Sequence, residues 1–366
     1  MLLRGKAAAR VILPVFALAL AGAIHFAGPA VPAPARIVLA CVSAVTLIAT
    51  VFVVVHHAEA IAHRIGEPYG TLLLTFAVTT IEVSVIVSMM LRGTNNPSLA
   101  RESVFSTVMI VCTGLVGICL TFGGWRHQYQ DIKRQGTSAF LAVLIALSVL
   151  TLILPDYTLA TKPGTFSTAQ LIFVSALSVL LYGAFVFAQT DRHRDDFVFQ
   201  TEPEEGTGEM SSPSGRLPIS ILLLAAGLVG VVQLAELVAS EVERGLIAFN
   251  VPQTDAVIGA LIALLVLLPE GVSAIRAALN NELQRSLNVA LGSACATIGL
   301  TIPAVAVASM VTGHDLDLGL GPGDTVLLVL ALTISVVSFS TGKTTVLTGL
   351  VHLVVFVAYL LLIVVP

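Results

Sequence analysis

Charge is scarce in this 366-residue chain: Asp, Glu, Lys and Arg make up 11% of it, against about 25% in an ordinary soluble domain. That shortage excludes a water-soluble enzyme and a disordered protein, since 56% of the residues are hydrophobic and the mean hydropathy is +0.97. Cysteine is scarce as well. Cys41, Cys112, Cys119 and Cys295 all sit in apolar runs, which excludes a secreted disulfide scaffold and reads them as small core residues. A net charge of −4 and a pI near 6.0 leave no footprint for nucleic acid. What is abundant is long uncharged stretches, at the spacing set by a bilayer that needs about 20 helical residues per crossing. Such unbroken runs exclude an outer-membrane barrel, whose strands alternate polar and apolar residues. The partner implied is a lipid bilayer.

Hydropathy and loop punctuation predict an all-α polytopic membrane protein with about 11 spans, at roughly 11–27, 37–59, 70–91, 103–124, 138–155, 168–188, 217–240, 256–278, 287–311, 325–341 and 344–365. Residues 1–30 form an N-terminal helix whose basic flank (Arg4, Lys6, Arg10) and Ala- and Pro-rich exit also suit a signal-like segment. Basic residues are retained on the cytoplasmic side. A cytoplasmic N-terminus leaves only Arg36, Arg92, Arg101, Lys162 and Arg244 of the 18 Lys and Arg outside, and it places the C-terminus externally. The stretch 191–216 carries seven acidic residues, Glu202, Glu204, Glu205 and Glu209 among them, with prolines and glycines, and reads as a cytoplasmic linker between two halves.

The halves, 36–190 and 217–366, resemble each other. Val54-Val55-His56-His57-Ala58-Glu59 matches Val231-Val232-Gln233-Leu234-Ala235-Glu236; Glu82 and Glu270 each sit mid-run in the following span; and Ser103…Cys112 repeats as Ser286…Cys295. The offsets are 177, 188 and 183, in the same order. Five spans separate matching elements, an odd number, so the expectation is two inverted five-helix repeats. Inverted repeats are characteristic of secondary transporters with sites near the midplane.

Among the 22 acidic residues, only Glu59, Glu82, Glu236 and Glu270 fall in or near spans by this reading. A carboxylate at the bilayer centre costs about 2.5–3.5 kcal/mol on insertion scales. Two at matching repeat positions point to a cation or proton site, whereas one alone could be a protonated, hydrogen-bonded glutamate. Thr71, Thr75, Thr79 and Glu82 share a helix face. Ser273 follows Glu270 by one turn, and Pro269 before it invites a helix break. Asn288, Ser103, Ser106 and Thr107 are further candidate contributors, equally explained as helix–helix contacts. His56, Glu59 and His63 share one face with His57 adjacent. They suit a proton relay or vestibule, or in a different class an intramembrane zinc hydrolase using His56, His57 and His63. No HExxH is present, and the repeat puts Gln233 and Leu234 where the histidines stand. Steady cation current without proton coupling would instead mark a channel. The run Ser340–Thr345 (STGKTT) lacks the first glycine of a phosphate loop and reads as a loop between the last two helices.

The segments HHAEAIAHRIGEPYGTLLLTFAVTTIEVSVIVSMML (His56–Leu91) and LPEGVSAIRAALNNELQRSLNVALGSACATIGLTIPAV (Leu268–Val305) resemble the two alpha-repeats of the calcium/cation antiporter superfamily. The likeness is to its proton-linked branch and, within that, to bacterial ChaA-type calcium/sodium:proton antiporters. The resemblance implies a transporter, not an enzyme, in a bacterial inner membrane, exchanging calcium for protons by alternating access, with sodium or potassium as the alternative cation. It implies that Glu82 and Glu270 are the paired cation and proton carriers, that Glu59 and Glu236 are flanking acidic sites on gating helices, and that the fourth and ninth helices complete the site. No cofactor beyond the transported ions is implied, and a homo-oligomer stays open.

Overall fold

A computed structural model describes residues 2–27, 32–65, 69–92, 96–197 and 217–365. Among them are eleven helices: α1 (Leu2–Ala27), α2 (Ala33–Ile65), α3 (Tyr69–Arg92), α4 (Leu99–His127), α5 (Arg134–Tyr157), α6 (Thr168–Arg192), α7 (Leu217–Ala248), α8 (Thr254–Leu279), α9 (Leu283–Thr312), α10 (Pro322–Phe339) and α11 (Val346–Val364). Nine contain stretches long and apolar enough to cross a bilayer, and α1 and α3 carry the shorter apolar stretches Arg10–Ile24 and Ala77–Met90. The chain is therefore a multi-pass integral membrane protein. Helices are what hydrocarbon demands, because every backbone N–H and C=O must find its partner inside the segment. The glutamates expected in the linker lie outside the described residues. At the start of that stretch α6 reaches Arg192 and a 3-10 turn follows at Arg194–Asp196.

The helices group into two compact units. The first comprises α1, α2, α3 as far as Met89, and α7. Its repeat-equivalent helices α2 and α7 pack against each other and against α1. Val54 and Val231, matched by the repeat, are both 1% exposed. Gly227 brings the backbones close: a Cβ there would lie 2.5 Å from Val54 Cγ2. Small residues at such crossings let helices approach where no hydrophobic effect drives them together. His57 ties α2 to α1 through Nε2, which donates to the Arg10 carbonyl at 3.0 Å.

The second unit holds α4–α6 and α8–α11. Its centre is α4, whose apolar stretch is 89% buried, followed by α9 at 67%, while α6 and α11 reach only 28% and turn residues such as Ile172, Phe173, Leu347 and Val354 outward. The central helices again are repeat equivalents. Each contains a π turn, Ile110–Leu115 in α4 and Thr297–Thr301 in α9, close to Cys112 and Cys295 of the repeated Ser…Cys pattern. A π turn leaves ladder groups displaced, and in α4 the Cys112 carbonyl accepts from His352 Nδ1 of α11 at 2.6 Å. The ring's other nitrogen meets Ser338 Oγ at 2.9 Å, so this fully buried histidine ties α10 and α11 to the bulge. The loop expected at 340–345 turns on Gly342 (φ 76) and pairs Lys343–Thr344 with Gln130–Asp131 as two short antiparallel strands.

Two sequence expectations need correction. The helices run a few residues beyond the hydropathy windows, so membrane-embedded helices carry more acids than four. Glu102 lies in the first turn of α4 and is 6% exposed, Asp324 in the first turn of α10, and Asp156 in the last turn of α5. The second correction concerns α8, which runs unbroken through Pro269. A proline deletes one N–H donor, and with Val266, Leu267 and Ala274 buried around it the helix continues.

Glu102 is compensated where it stands. Arg101 Nη2 and Nε donate to its Oε1 at 2.7 and 2.9 Å, Nη1 donates to the Gly319 carbonyl at 2.7 Å and lies 3.4 Å from Asp317 Oδ2. Beside it, Asp255 of α8 accepts from Ser98 Oγ at 2.8 Å and Asn96 Nδ2 at 3.1 Å. One arginine thus staples the start of α4 to the loop before α10.

Arg101→Ala strands a buried carboxylate and should cost about 3 kcal/mol, read as a lower thermal midpoint in detergent; adding Glu102→Gln should recover part of the loss. A single variant as stable as wild type would contradict the staple. At the α4–α8 crossing, a Cβ on Gly259 would stand 2.7 Å from the Glu102 carbonyl carbon. Gly259→Val should therefore destabilise by about 1–3 kcal/mol, whereas Gly183→Ala, which meets nothing within 4 Å, should not.

Candidate functional site

In the first unit, Glu82 is 2% exposed within the apolar stretch Ala77–Met90 of α3, and Thr79, one turn earlier on the same face, is 7% exposed. A carboxyl group and a hydroxyl are thus adjacent, buried oxygen donors on one helix, the kind of ligand hard cations take. The side chains of Thr71 and Thr75, expected to continue this face, lie outside the described residues, as does that of His63.

Glu59 on α2 is exposed and Glu236 on α7 half-buried. Both were expected near helix ends; α2 instead continues to Ile65 and α7 to Ala248, so Glu236 stands well inside its helix. Its Oε2 accepts from Ser88 Oγ of α3 at 2.8 Å. Ser88 was not singled out by the sequence, because the repeat register that aligns Glu82 with Glu270 sets Arg276 opposite it. The available signal was a serine inside an otherwise apolar run. His56 is half-buried, its ring centroid 6.1 Å from that of His57. The bond to Arg10 occupies His57 Nε2 and leaves Nδ1 alone for any other ligand. Among the described residues no group of three His, Cys, Asp or Glu side chains could hold a resident metal ion.

In the second unit, Glu270 is half-buried on α8 and Ser273, one turn on, is exposed. Ser106 of α4 is 1% exposed and accepts from Tyr359 Oη of α11 at 2.8 Å. Thr107 donates to its own helix, to the Ser103 carbonyl at 3.0 Å. Asn288 of α9 donates to the Phe197 carbonyl at 2.6 Å and accepts from Gln284 at 2.8 Å. Its amide thereby anchors the segment after α6, a structural task visible only once the chain is folded.

These oxygen donors, set on helices of a repeated architecture, invite comparison with known proteins. The family model described as sodium/calcium exchanger protein matches residues 36–190 and again 219–365. The sodium-potassium/proton antiporter ChaA of Escherichia coli K12 is 36% identical over 353 residues, covering 96% of this chain and 94% of that one. The y4hA protein of Sinorhizobium fredii is 45% identical over 331 residues, 90% of this chain and 89% of its own. In fold, the crystal structure of the Ca2+/H+ antiporter protein YfkE superposes with a TM-score of 0.71 at 17% identity, covering 98% of this chain and 99% of that one. The chain belongs to the sodium/calcium exchanger family of membrane antiporters.

Proposed function

We propose that this protein exchanges calcium for protons across a bacterial inner membrane, with sodium or potassium as alternative cations on the same carboxylates. The observation that carries the reading is Glu82, a carboxyl group 2% exposed in an apolar helix stretch, with Glu270 at the matching position of the second repeat. A carboxylate kept at that depth costs about 2.5–3.5 kcal/mol, and a role in binding ions accounts for its presence. The family membership and the sodium-potassium/proton antiport of the Escherichia coli relative support the proton-linked exchange.

The mechanism is competition. A carboxylate in a medium of low polarity is neutralised either by a proton or by a cation, and holding one displaces the other. Calcium takes about six to eight oxygens at 2.3–2.6 Å, for which Glu82 and Glu270 supply the charge and Thr79, Ser273 and backbone carbonyls further oxygens. Crossing empty would carry buried, uncompensated charge, so the loaded states cross and transport becomes exchange. Glu59 and Glu236 act as flanking acidic sites. The distribution of Lys and Arg puts the N-terminus in the cytoplasm and the C-terminus outside.

Everted vesicles containing the protein should dissipate a respiration-built pH gradient when calcium is added, and calcium flux should be competed by sodium or potassium. No response to any of the three cations at neutral to alkaline pH would overturn the proposal.

The carboxylates are ranked by the same logic. Glu82→Gln and Glu270→Gln remove the titratable charge while keeping size, and each should abolish exchange in protein expressed at wild-type level. Glu59→Gln, at an exposed position where water can replace the lost oxygen, should raise the half-saturating cation concentration and leave turnover. Full transport by Glu82→Gln with complete loss in Glu59→Gln would put the ion on different helices.

A further inference from the structure

Several hydroxyls buried in these helices turn back on their own backbone. Thr50 donates to the Thr46 carbonyl at 2.7 Å, Thr107 to Ser103 at 3.0 Å, Ser178 to Val174 at 2.9 Å and Ser335 to Ala331 at 2.8 Å. Such bonds satisfy the hydroxyl and leave it nothing to do elsewhere. Ser88 behaves differently. Its Oγ reaches out of α3 to Oε2 of Glu236 on α7, 148 residues away in sequence, at 2.8 Å. A carboxylate oxygen accepts, so the serine hydroxyl donates, and a hydrogen bond to an ionised acceptor is of the stronger kind. Both side chains are half-buried, where such a bond is screened less than in water.

From this geometry we infer that Ser88 is a positioning residue for cation capture: its hydroxyl holds the Glu236 carboxylate toward the helix that carries Glu82. The inference rests on the functional reading above, in which Glu236 is a flanking acidic site. Three physical consequences follow. A hydroxyl carries no charge of its own, so the bond orients the carboxylate without adding a countercharge. The bond is made to Oε2, so it limits rotation of the carboxylate about its own axis. Because one helix supplies both Glu82 and the donor to Glu236, the two carboxylates are registered by a single rigid element.

The test is exchange kinetics in proteoliposomes, with calcium as the cation, for wild type, Ser88→Ala, Ser88→Thr, Glu236→Gln and the Ser88→Ala/Glu236→Gln double variant. Loss of an orienting hydrogen bond should raise the half-saturating calcium concentration about three- to tenfold, and by more than it lowers the maximal rate. Ser88→Thr keeps the hydroxyl and should restore most of the affinity. In the Glu236→Gln background the charge that the serine serves is gone, so Ser88→Ala should add no comparable shift. An unaltered half-saturating concentration in Ser88→Ala, a loss confined to maximal rate, or an equal shift in both backgrounds would overturn the inference while leaving the exchange function standing. A wild-type protein that exchanges no cation would overturn the functional reading, and this inference with it.

Discussion

The cost of ionisable groups in hydrocarbon governs how this chain is built. Lipid offers neither water to solvate a carboxylate nor partners for a loose peptide group, so nearly all of the backbone is committed to helices and the acidic side chains inside them must each have a reason. The structure exhibits two ways of meeting that cost. Glu102 is matched by the Arg101 guanidinium at 2.7 Å, a permanent countercharge that also fastens the start of α4 to the loop before α10. Glu236 is met by a serine hydroxyl at 2.8 Å, a neutral donor that orients the group.

The same medium explains the packing. Apolar side chains gain little by leaving lipid for protein, so close approach of small residues and a few hydrogen bonds between helices hold each unit together. Gly227 under Val54 and Gly259 against the Glu102–Ser103 backbone mark two such approaches. The repeat then shows itself inside each unit separately. In the first, the equivalent helices α2 and α7 lie side by side; in the second, the equivalent helices α4 and α9 form the buried centre, each with a π turn.

Helix number and identity were legible in the sequence because hydropathy over about 20 residues is a strong, local signal, and all eleven expected spans correspond to helices among the described residues. The ends were not, since the turns beyond a hydropathy window are polar by construction: windows that closed at Pro155 and opened at Ser103 and Thr325 set Asp156, Glu102 and Asp324 just outside helices that contain them. Glu82 was legible for the opposite reason, being a lone carboxyl group in an apolar run. Asn288 had the composition of a site residue, and only the folded chain reveals its amide bonded to the Phe197 carbonyl. The Ser88–Glu236 bond spans 148 residues and lacks a serine in the other repeat, so neither local pattern nor internal symmetry could announce it.

Partner chemistry separates structural carboxylates from exchanging ones. An acid bonded by two arginine nitrogens, as Glu102 is, is neutralised already, and a cation arriving there would have to displace a guanidinium held by two further oxygens at Gly319 and Asp317. A hydroxyl donor brings no countercharge and, unlike a guanidinium, does not itself neutralise the acid it orients. Burial raises the stakes of neutralisation without deciding which ion supplies it. Under the proposed function the choice between ions then falls to oxygen count and spacing, to which neutral hydroxyls contribute at little electrostatic cost. Under the proposed exchange, acids oriented by neutral donors are those whose charge a transported ion can serve, and the Ser88–Glu236 bond between α3 and α7 supplies one such donor.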